Sequence, residues 1–256
     1  MKKLIGIVAA VAALCAGAAG EVARIEVDAG NPGHAVSPML WGIFFEDINL
    51  SADGGIYPEL VRNRSFEDSD KPEHWIAVGG ARIAVDSDRP VSARNPRSLR
   101  VDIAGNGGGV VNTGYWGMAV KKGEKYRLSL MARGENELTA AIENSDGSVV
   151  FAKQSLGSLT GGWKRYEAEL TADGTDPRAR LAIRSGRAGT FRLDMVSLMP
   201  AKTWKNHGLR PDLCEMLDGL KPAFVRFPGG CWVEGDTMDK AYRWKKTIGD
   251  VSERAP

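Results

Sequence analysis

From about residue 66 to residue 200 the chain is a succession of short segments that alternate apolar and polar residues, and this texture limits its fold more than any other feature. The segments include 98–103, 125–132, 138–144, 163–170, 178–184 and 190–198. A period of two places one row of side chains on a core and the other in water, the pattern of a half-buried strand. Gly105-Asn106-Gly107-Gly108-Gly109, Asp146-Gly147, Gly161-Gly162, Asp173-Gly174 and Gly186-Arg187 punctuate the series as turns. With no helical periodicity between them, the segments predict an all-β sandwich of the jelly-roll kind over 66–200.

The flanks have a different texture. Val22 to Val27 alternates like an exposed strand, and Met39 to Phe45 is an apolar run with the look of a buried one, ending in Glu46-Asp47-Ile48-Asn49. Ser51-Ala52-Asp53-Gly54-Gly55 makes a loop, and Tyr57 to Arg62 is expected to open a short helix with Pro58 in its first turn. Beyond the sandwich, Leu209, Leu213, Met216, Leu217 and Leu220 recur on one helical face, and Ala223 to Phe227 follows as a buried strand closed by Pro228-Gly229-Gly230. Strand, loop and helix on one side, and helix and strand on the other, predict an α/β domain with the sandwich inserted between its first and second strands.

Met1-Lys2-Lys3, the apolar run Leu4 to Ala16 and the small-residue exit Gly17-Ala18-Ala19-Gly20 form a secretory signal peptide over 1–20, too short to span a membrane as a helix. Its removal leaves Cys214 and Cys231, too few for a disulfide-stapled fold, with a bridge between them left open. His34, His74 and His207 are dispersed, so no metal and no cofactor is expected. A net charge of +2, with basic and acidic residues interspersed, sets nucleic acid aside as a partner.

Two points carry chemistry. Glu46 stands where a buried strand ends, and such strand ends are where α/β proteins hold ligands. The bland alternative is that Glu46 and Asp47 open a solvated loop. Arg226 mirrors Glu46 at the end of the second strand, ahead of two glycines, and its planar fork of donors suits a buried carboxylate or a ligand. Glu234 and Asp236 read as solvated loop carboxylates, not a catalytic pair. Trp75, Tyr115, Trp116 and Trp163 could stack on sugar rings or lie in the core, with Trp163 the first choice for the core.

Leu40-Trp41-Gly42-Ile43-Phe44-Phe45-Glu46-Asp47-Ile48-Asn49, Gly54-Gly55-Ile56-Tyr57, Asn63-Arg64-Ser65-Phe66-Glu67 and Leu220-Lys221-Pro222 through Arg226-Phe227-Pro228-Gly229-Gly230-Cys231 resemble the α-L-arabinofuranosidases of glycoside hydrolase family 51. The 66–200 segment is similar, in pattern, to a carbohydrate-binding module. The resemblance implies a (β/α)₈ TIM barrel with its site at the carboxyl ends of the strands and retaining hydrolysis by two glutamates on later strands. It also implies substrate-binding roles for Glu46, which matches a glutamate holding arabinofuranose hydroxyls, for Arg226, which matches an arginine bracing the nucleophile side, and for Cys231, at a position lining the sugar subsite. Many members have Asn at that last position, and a thiol is only a weak donor and acceptor.

The expectation is therefore multi-domain: signal peptide 1–20, an N-terminal strand and first βα unit 21–65, the inserted sandwich 66–200, and a second αβ unit 201–256. Outside the signal and sandwich only about 100 residues remain, against roughly 250 for a whole barrel, so the barrel is expected to be incomplete here. No catalytic residue is expected within the chain, which alone would be inactive. The expected partner is an arabinofuranose-containing polysaccharide or oligosaccharide, met in the periplasm or outside the cell. The alternatives are a secreted carbohydrate-binding protein in which only the sandwich works, and a related glycosidase of the same clan.

Overall fold

A computed structural model describes residues 23–254, so the expected signal peptide lies outside the described residues. They fall into two units, the first reaching Leu40 and the second beginning at Trp41. In the first, residues 23–40 contain turns but no regular element. Gly30 N donates to Asp28 Oδ1 at 3.0 Å and Leu40 N to Ser37 O at 3.0 Å. The strand expected over Val22–Val27 is absent from the described part, where Ile25 and Val27 are exposed and no neighbouring strand supplies a ladder.

The second unit is mostly β. In chain order its strands are β1 (Ile43–Phe44), β2 (Trp75–Val78), β3 (Arg82–Asp86), β4 (Ser98–Ile103), β5 (Gly108–Asn112), β6 (Met118–Val120), β7 (Lys125–Gly134), β8 (Glu137–Glu143), β9 (Val150–Ser158), β10 (Lys164–Thr171), β11 (Asp176–Ser185), β12 (Gly189–Pro200) and β13 (Val225–Arg226). Among the described residues, two α-helices follow the sandwich, α1 (Pro211–Gly219) and α2 (Gly230–Glu234), with three short 3-10 turns around them.

β2 to β12 form two antiparallel sheets, one ordered β10-β7-β12-β4-β3 and the other β2-β5-β11-β8-β9, with β6 added to β11. Leu99, Val101, Leu128, Leu130, Phe191 and Leu193 from the first sheet meet Leu138, Ile142, Leu181 and Ile183 from the second in one buried core. Each such side chain contributes about 1.5–3 kcal/mol by leaving water. The alternation of these strands thus becomes a two-layer sandwich, as their spacing predicts. The glycine run expected as a turn is only partly one, because β5 starts at Gly108 and pairs with β11.

On the outer face of the second sheet, Glu143 is buried between Arg180 Nη2 at 2.8 Å and Arg184, whose Nη1 also reaches it. Burial works to raise the Glu143 carboxyl, and hydrogen bonds from Arg184 and Arg180 outweigh it and hold the group below its ordinary 4.5. A lowered folded value gives stability that is present above pH 4.5 and lost as pH falls through the folded value. A Glu143→Gln variant is expected to show a flatter decline of unfolding temperature between pH 6 and 3 than the parent, checked by thermal scans across that range.

Two expectations fail in the segment leading into the sandwich. Residues 57–62 are not helical. They run extended along β12, where Leu60 N donates to Leu198 O at 3.1 Å and Arg64 O accepts from Val196 N at 3.0 Å. Pairing to an existing strand satisfies these backbone groups better than an isolated helical turn would. Nor is Met39–Phe45 a long buried strand. β1 is two residues long, Trp41 and Phe44 are exposed, and among the described residues its only strand partner is β13. A parallel pair needs cover on both faces, and here β13, expected as a buried strand, is exposed too, with Val225 and Phe227 both more than half in solvent.

Candidate substrate-binding site

β1 and β13 are parallel, with Ile43 opposite Val225 and Phe44 opposite Arg226. The ladder runs beyond the paired residues: Ala223 N donates to Trp41 O at 2.9 Å, Phe45 N to Arg226 O at 2.9 Å and Asp47 N to Pro228 O at 3.1 Å. Both strand ends therefore stop together, at Glu46-Asp47 and Pro228-Gly229. Alternation then sorts the side chains. Ile43, Phe45, Val225 and Phe227 face a cavity of about 620 Å³ shared with Cys214 and Leu217 of α1. Phe44, Arg226 and Glu46 belong to the opposite, open face.

Glu46 lies against the glycine pair. A Cβ at Gly229 would stand 2.5 Å from Glu46 Cβ, and one at Gly230 would be 3.7 Å from Glu46 Oε1. Gly229 has φ +110° and ψ −166°, a backbone region open essentially to glycine alone. The loop after Glu46 is pinned by Ser51 Oγ donating to Glu46 O at 2.6 Å and Ala52 N donating to Asp47 Oδ1 at 3.2 Å. Trp232 Nε1 of α2 donates to Asp47 O. The Glu46 backbone is thus fixed while, among the described residues, its carboxylate oxygens carry no hydrogen bond and no ion pair. A half-buried, unpaired carboxylate on a fixed backbone is an acceptor waiting for hydroxyl donors.

Arg226 does not pair with Glu46. It is exposed, with its guanidinium over the Phe44 ring at 4.8 Å, a cation–π contact one pleat step before Glu46. Cys231 is exposed on the first turn of α2, and its thiol makes no hydrogen bond among the described residues. Cys214 is buried on the other side of the strand pair, and both cysteines are free thiols. Burial pushes the Cys214 thiol up, with Asp212 adding to it. The structure therefore brings Glu46 and the glycine pair together, sets Arg226 beside them and leaves Cys231 at the rim. Among the described residues no cluster of His, Cys, Asp and Glu is arranged to hold a metal.

Several residues around this site escape the sequence reading. Glu59 is 1% exposed, and its Oε1 accepts from Val61 N and Leu198 N, both at 2.9 Å, while Oε2 accepts from Ser197 Oγ at 2.6 Å. Arg64 Nη1 stands 3.6 Å from Oε2. Burial pushes the Glu59 carboxyl up, against the pull of Ser197, Val61, Leu198 and Arg64. Burial also raises Asp53 in the loop after Glu46, opposed by Arg64 and reinforced by Asp47 and Asp68. The aromatic candidates separate as well. Trp75 is core, packed on Phe66 with ring centroids 5.4 Å apart. Trp163 is only half-buried, against expectation, because Nε1 reaches out to Arg89 O at 2.6 Å and Arg133 lies over its ring at 5.3 Å. Trp116 is 74% exposed.

Comparison with known proteins fits this architecture. Residues 58–190 match the family model described as a carbohydrate binding domain, and residues 216–256 match the alpha-L-arabinofuranosidase 1 domain. Alpha-L-arabinofuranosidase 1 of Arabidopsis thaliana is 40% identical over 250 residues, covering 90% of this chain and 37% of its own length. The extracellular exo-alpha-L-arabinofuranosidase of Streptomyces chartreusis is 40% identical over 254 residues, covering 90% of this chain and 30% of its own length. The structure of an arabinose-bound α-L-arabinofuranosidase of glycoside hydrolase family 51 superposes with a TM-score of 0.81 at 33% identity, over 88% of this chain and 39% of that one. The chain belongs to the carbohydrate-binding-domain family and is a homologue of the α-L-arabinofuranosidases of glycoside hydrolase family 51, and it spans between 30% and 38% of the length of the curated relatives it matches.

Proposed function

We propose that this chain supplies the sugar-holding side of a retaining α-L-arabinofuranosidase site. The observation that carries the reading is the unpaired carboxylate of Glu46, held at the end of a parallel strand over the Gly229-Gly230 floor. Its two oxygens accept from hydroxyls of a terminal α-L-arabinofuranosyl residue of arabinoxylan, arabinan or a derived oligosaccharide. Arg226, one pleat step away, braces the neighbouring wall, and Cys231 lines the rim by packing.

In this reading residues 21–65 and 201–256 are the first and second units of a (β/α)₈ barrel, and 66–200 is the inserted sandwich. Hydrolysis with retention needs two carboxyl groups about 5–5.5 Å apart, one as acid/base and one as nucleophile. Glu46 is neither, and those groups belong to later barrel strands. The chain alone binds sugar without cleaving it. Residues 1–20 direct export to the periplasm or beyond, in keeping with the extracellular relative from Streptomyces.

Calorimetric titration with L-arabinose is expected to show binding that Glu46→Ala weakens at least tenfold, and equal affinity of parent and variant would overturn the role of Glu46. Incubation with an aryl α-L-arabinofuranoside is expected to give no release of the aryl group. Turnover above that of Glu46→Ala would overturn the inactivity of the chain alone.

A second reading makes the sandwich the working part, and its carbohydrate-binding-domain match favours that. The outward rows of the second sheet argue against stacking on that face. Val78, Val111, Ala141 and Ala182 form its apolar strip beside Thr139, Lys153, Arg180 and Arg184, and none of these carries an aromatic ring.

A further inference from the structure

We infer that Trp116, on the turn between β5 and β6, is a stacking surface for the saccharide that carries the arabinofuranosyl group, so that sandwich and strand ends grip one ligand together. The inference rests on the reading of Glu46 given above.

The turn is built to display this residue. Gly114 and Gly117 close it through a bridge between them, with Gly117 N donating to Thr113 O at 3.0 Å. Both glycines have positive φ, +65° and +99°. A Cβ at Gly114 would come within 2.7 Å of Leu60 O, and one at Gly117 within 2.5 Å of Arg178 Cα. Asn112, fully buried, locks the base: its Oδ1 accepts from Gly114 N at 2.9 Å and from Arg62 N at 3.3 Å, and its Nδ2 donates to Arg62 O at 2.9 Å. A turn with so little slack still leaves its largest apolar side chain in water. An exposed indole on a rigid support offers a flat apolar face with little ordering cost, which suits the C–H face of a sugar ring.

The position of the turn selects the ligand. Tyr115 packs against the loop that follows Glu46: a Cβ at Gly54 would meet the Tyr115 ring at 2.6 Å. The Arg62 guanidinium lies over that ring, 5.6 Å from its centroid, and Trp116 stands beside Tyr115 with centroids 6.3 Å apart. At the other end of the same loop, Ser51 Oγ holds Glu46 O. Three residue steps separate Ser51 from Gly54, a span of at most ~11 Å. The indole is therefore a short oligosaccharide's reach from Glu46.

The test titrates the full chain with L-arabinose and with an arabinose-substituted xylo-oligosaccharide, comparing Trp116→Ala, Trp116→Phe and Glu46→Ala. Trp116→Ala is expected to bind the oligosaccharide about tenfold more weakly and arabinose unchanged, with Trp116→Phe recovering most of the loss. Equal affinity of parent and Trp116→Ala for the oligosaccharide would overturn the inference and leave Glu46 untouched. Loss in Trp116→Ala with none in Glu46→Ala would retain the indole as a sugar surface and overturn the shared grip. Absence of binding to both ligands by the parent would overturn both readings. A change only in self-association, seen by sedimentation, would assign the indole to a second copy of the chain and overturn the inference.

Discussion

Glu59→Ala is expected to destabilise the chain by about 3–5 kcal/mol, the range for breaking a buried charged cluster by removing one partner. The substitution leaves Val61 N and Leu198 N without an acceptor in a buried place, at about 1–3 kcal/mol each. It also frees Ser197 Oγ and takes the carboxylate away from Arg64. Glu59→Gln should cost less. Its amide oxygen can serve the two backbone donors, and the Ser197 hydroxyl can turn to accept from the amide nitrogen, so only Arg64 loses its partner.

The two variants also differ with pH. The folded carboxyl is raised above its ordinary 4.5 by burial, so its contribution is complete below that value and is lost as pH rises through the folded value. A Gln that cannot ionise has no such loss, and the deficit of Glu59→Gln should narrow as pH rises. Urea unfolding of parent and variants at pH 4.5 and 8 measures both effects. A Glu59→Ala loss under 1 kcal/mol would show that water reaches these donors.

Gly229→Ala is expected to abolish arabinose binding, with a loss of at least a hundredfold, while the main unfolding transition of the sandwich stays in place. The alanine Cβ would sit 2.5 Å from Glu46 Cβ and 2.7 Å from its Cα, so main chain as well as side chain must move. The φ of +110° adds about 1–3 kcal/mol of backbone strain. Relief requires the strand ends to part, and the ladder bond from Asp47 N to Pro228 O goes with them. Titration with arabinose beside a thermal scan reads the two parts separately. Retained binding would mean that Glu46 does not need this floor.

The sandwich is legible because each strand obeys a local rule. In 98–103 and 125–132 every second residue is apolar, and those residues are buried, with Ser98 buried beside them. β9 escapes the pattern because its pairing with β8 shifts register twice, which breaks the simple alternation. The 57–62 segment misleads for another reason: Pro58 and Leu60-Val61 fit a helix start locally, and only β12, over 130 residues away, makes the extended form better. Glu59 is invisible for the same reason, since a lone carboxylate between Pro58 and Leu60 gives no sign that distant donors converge on it. Glu46 and Arg226 are legible as strand-end groups because apolar runs stop abruptly there, but whether they pair depends on the register, and the register sets Arg226 opposite Phe44.

The pairing of Ile43 with Val225 has a kinetic meaning. Closing that contact in an unfolded chain means joining points about 180 residues apart, and loop-closure entropy makes such contacts slow to form. Once the sandwich has folded, Leu60 is already bonded to Leu198, and the free path between the two strands shrinks to about 45 residues. The closure cost falls by roughly 1 kcal/mol on a logarithmic law. The insertion is then a shortcut for the chain, drawing together two strands that it separates in sequence. In a pulse-labelled refolding experiment, sandwich amides should gain protection before those of Ile43 and Phe45, making the strand ends at Glu46 and Pro228 later to assemble than the sandwich.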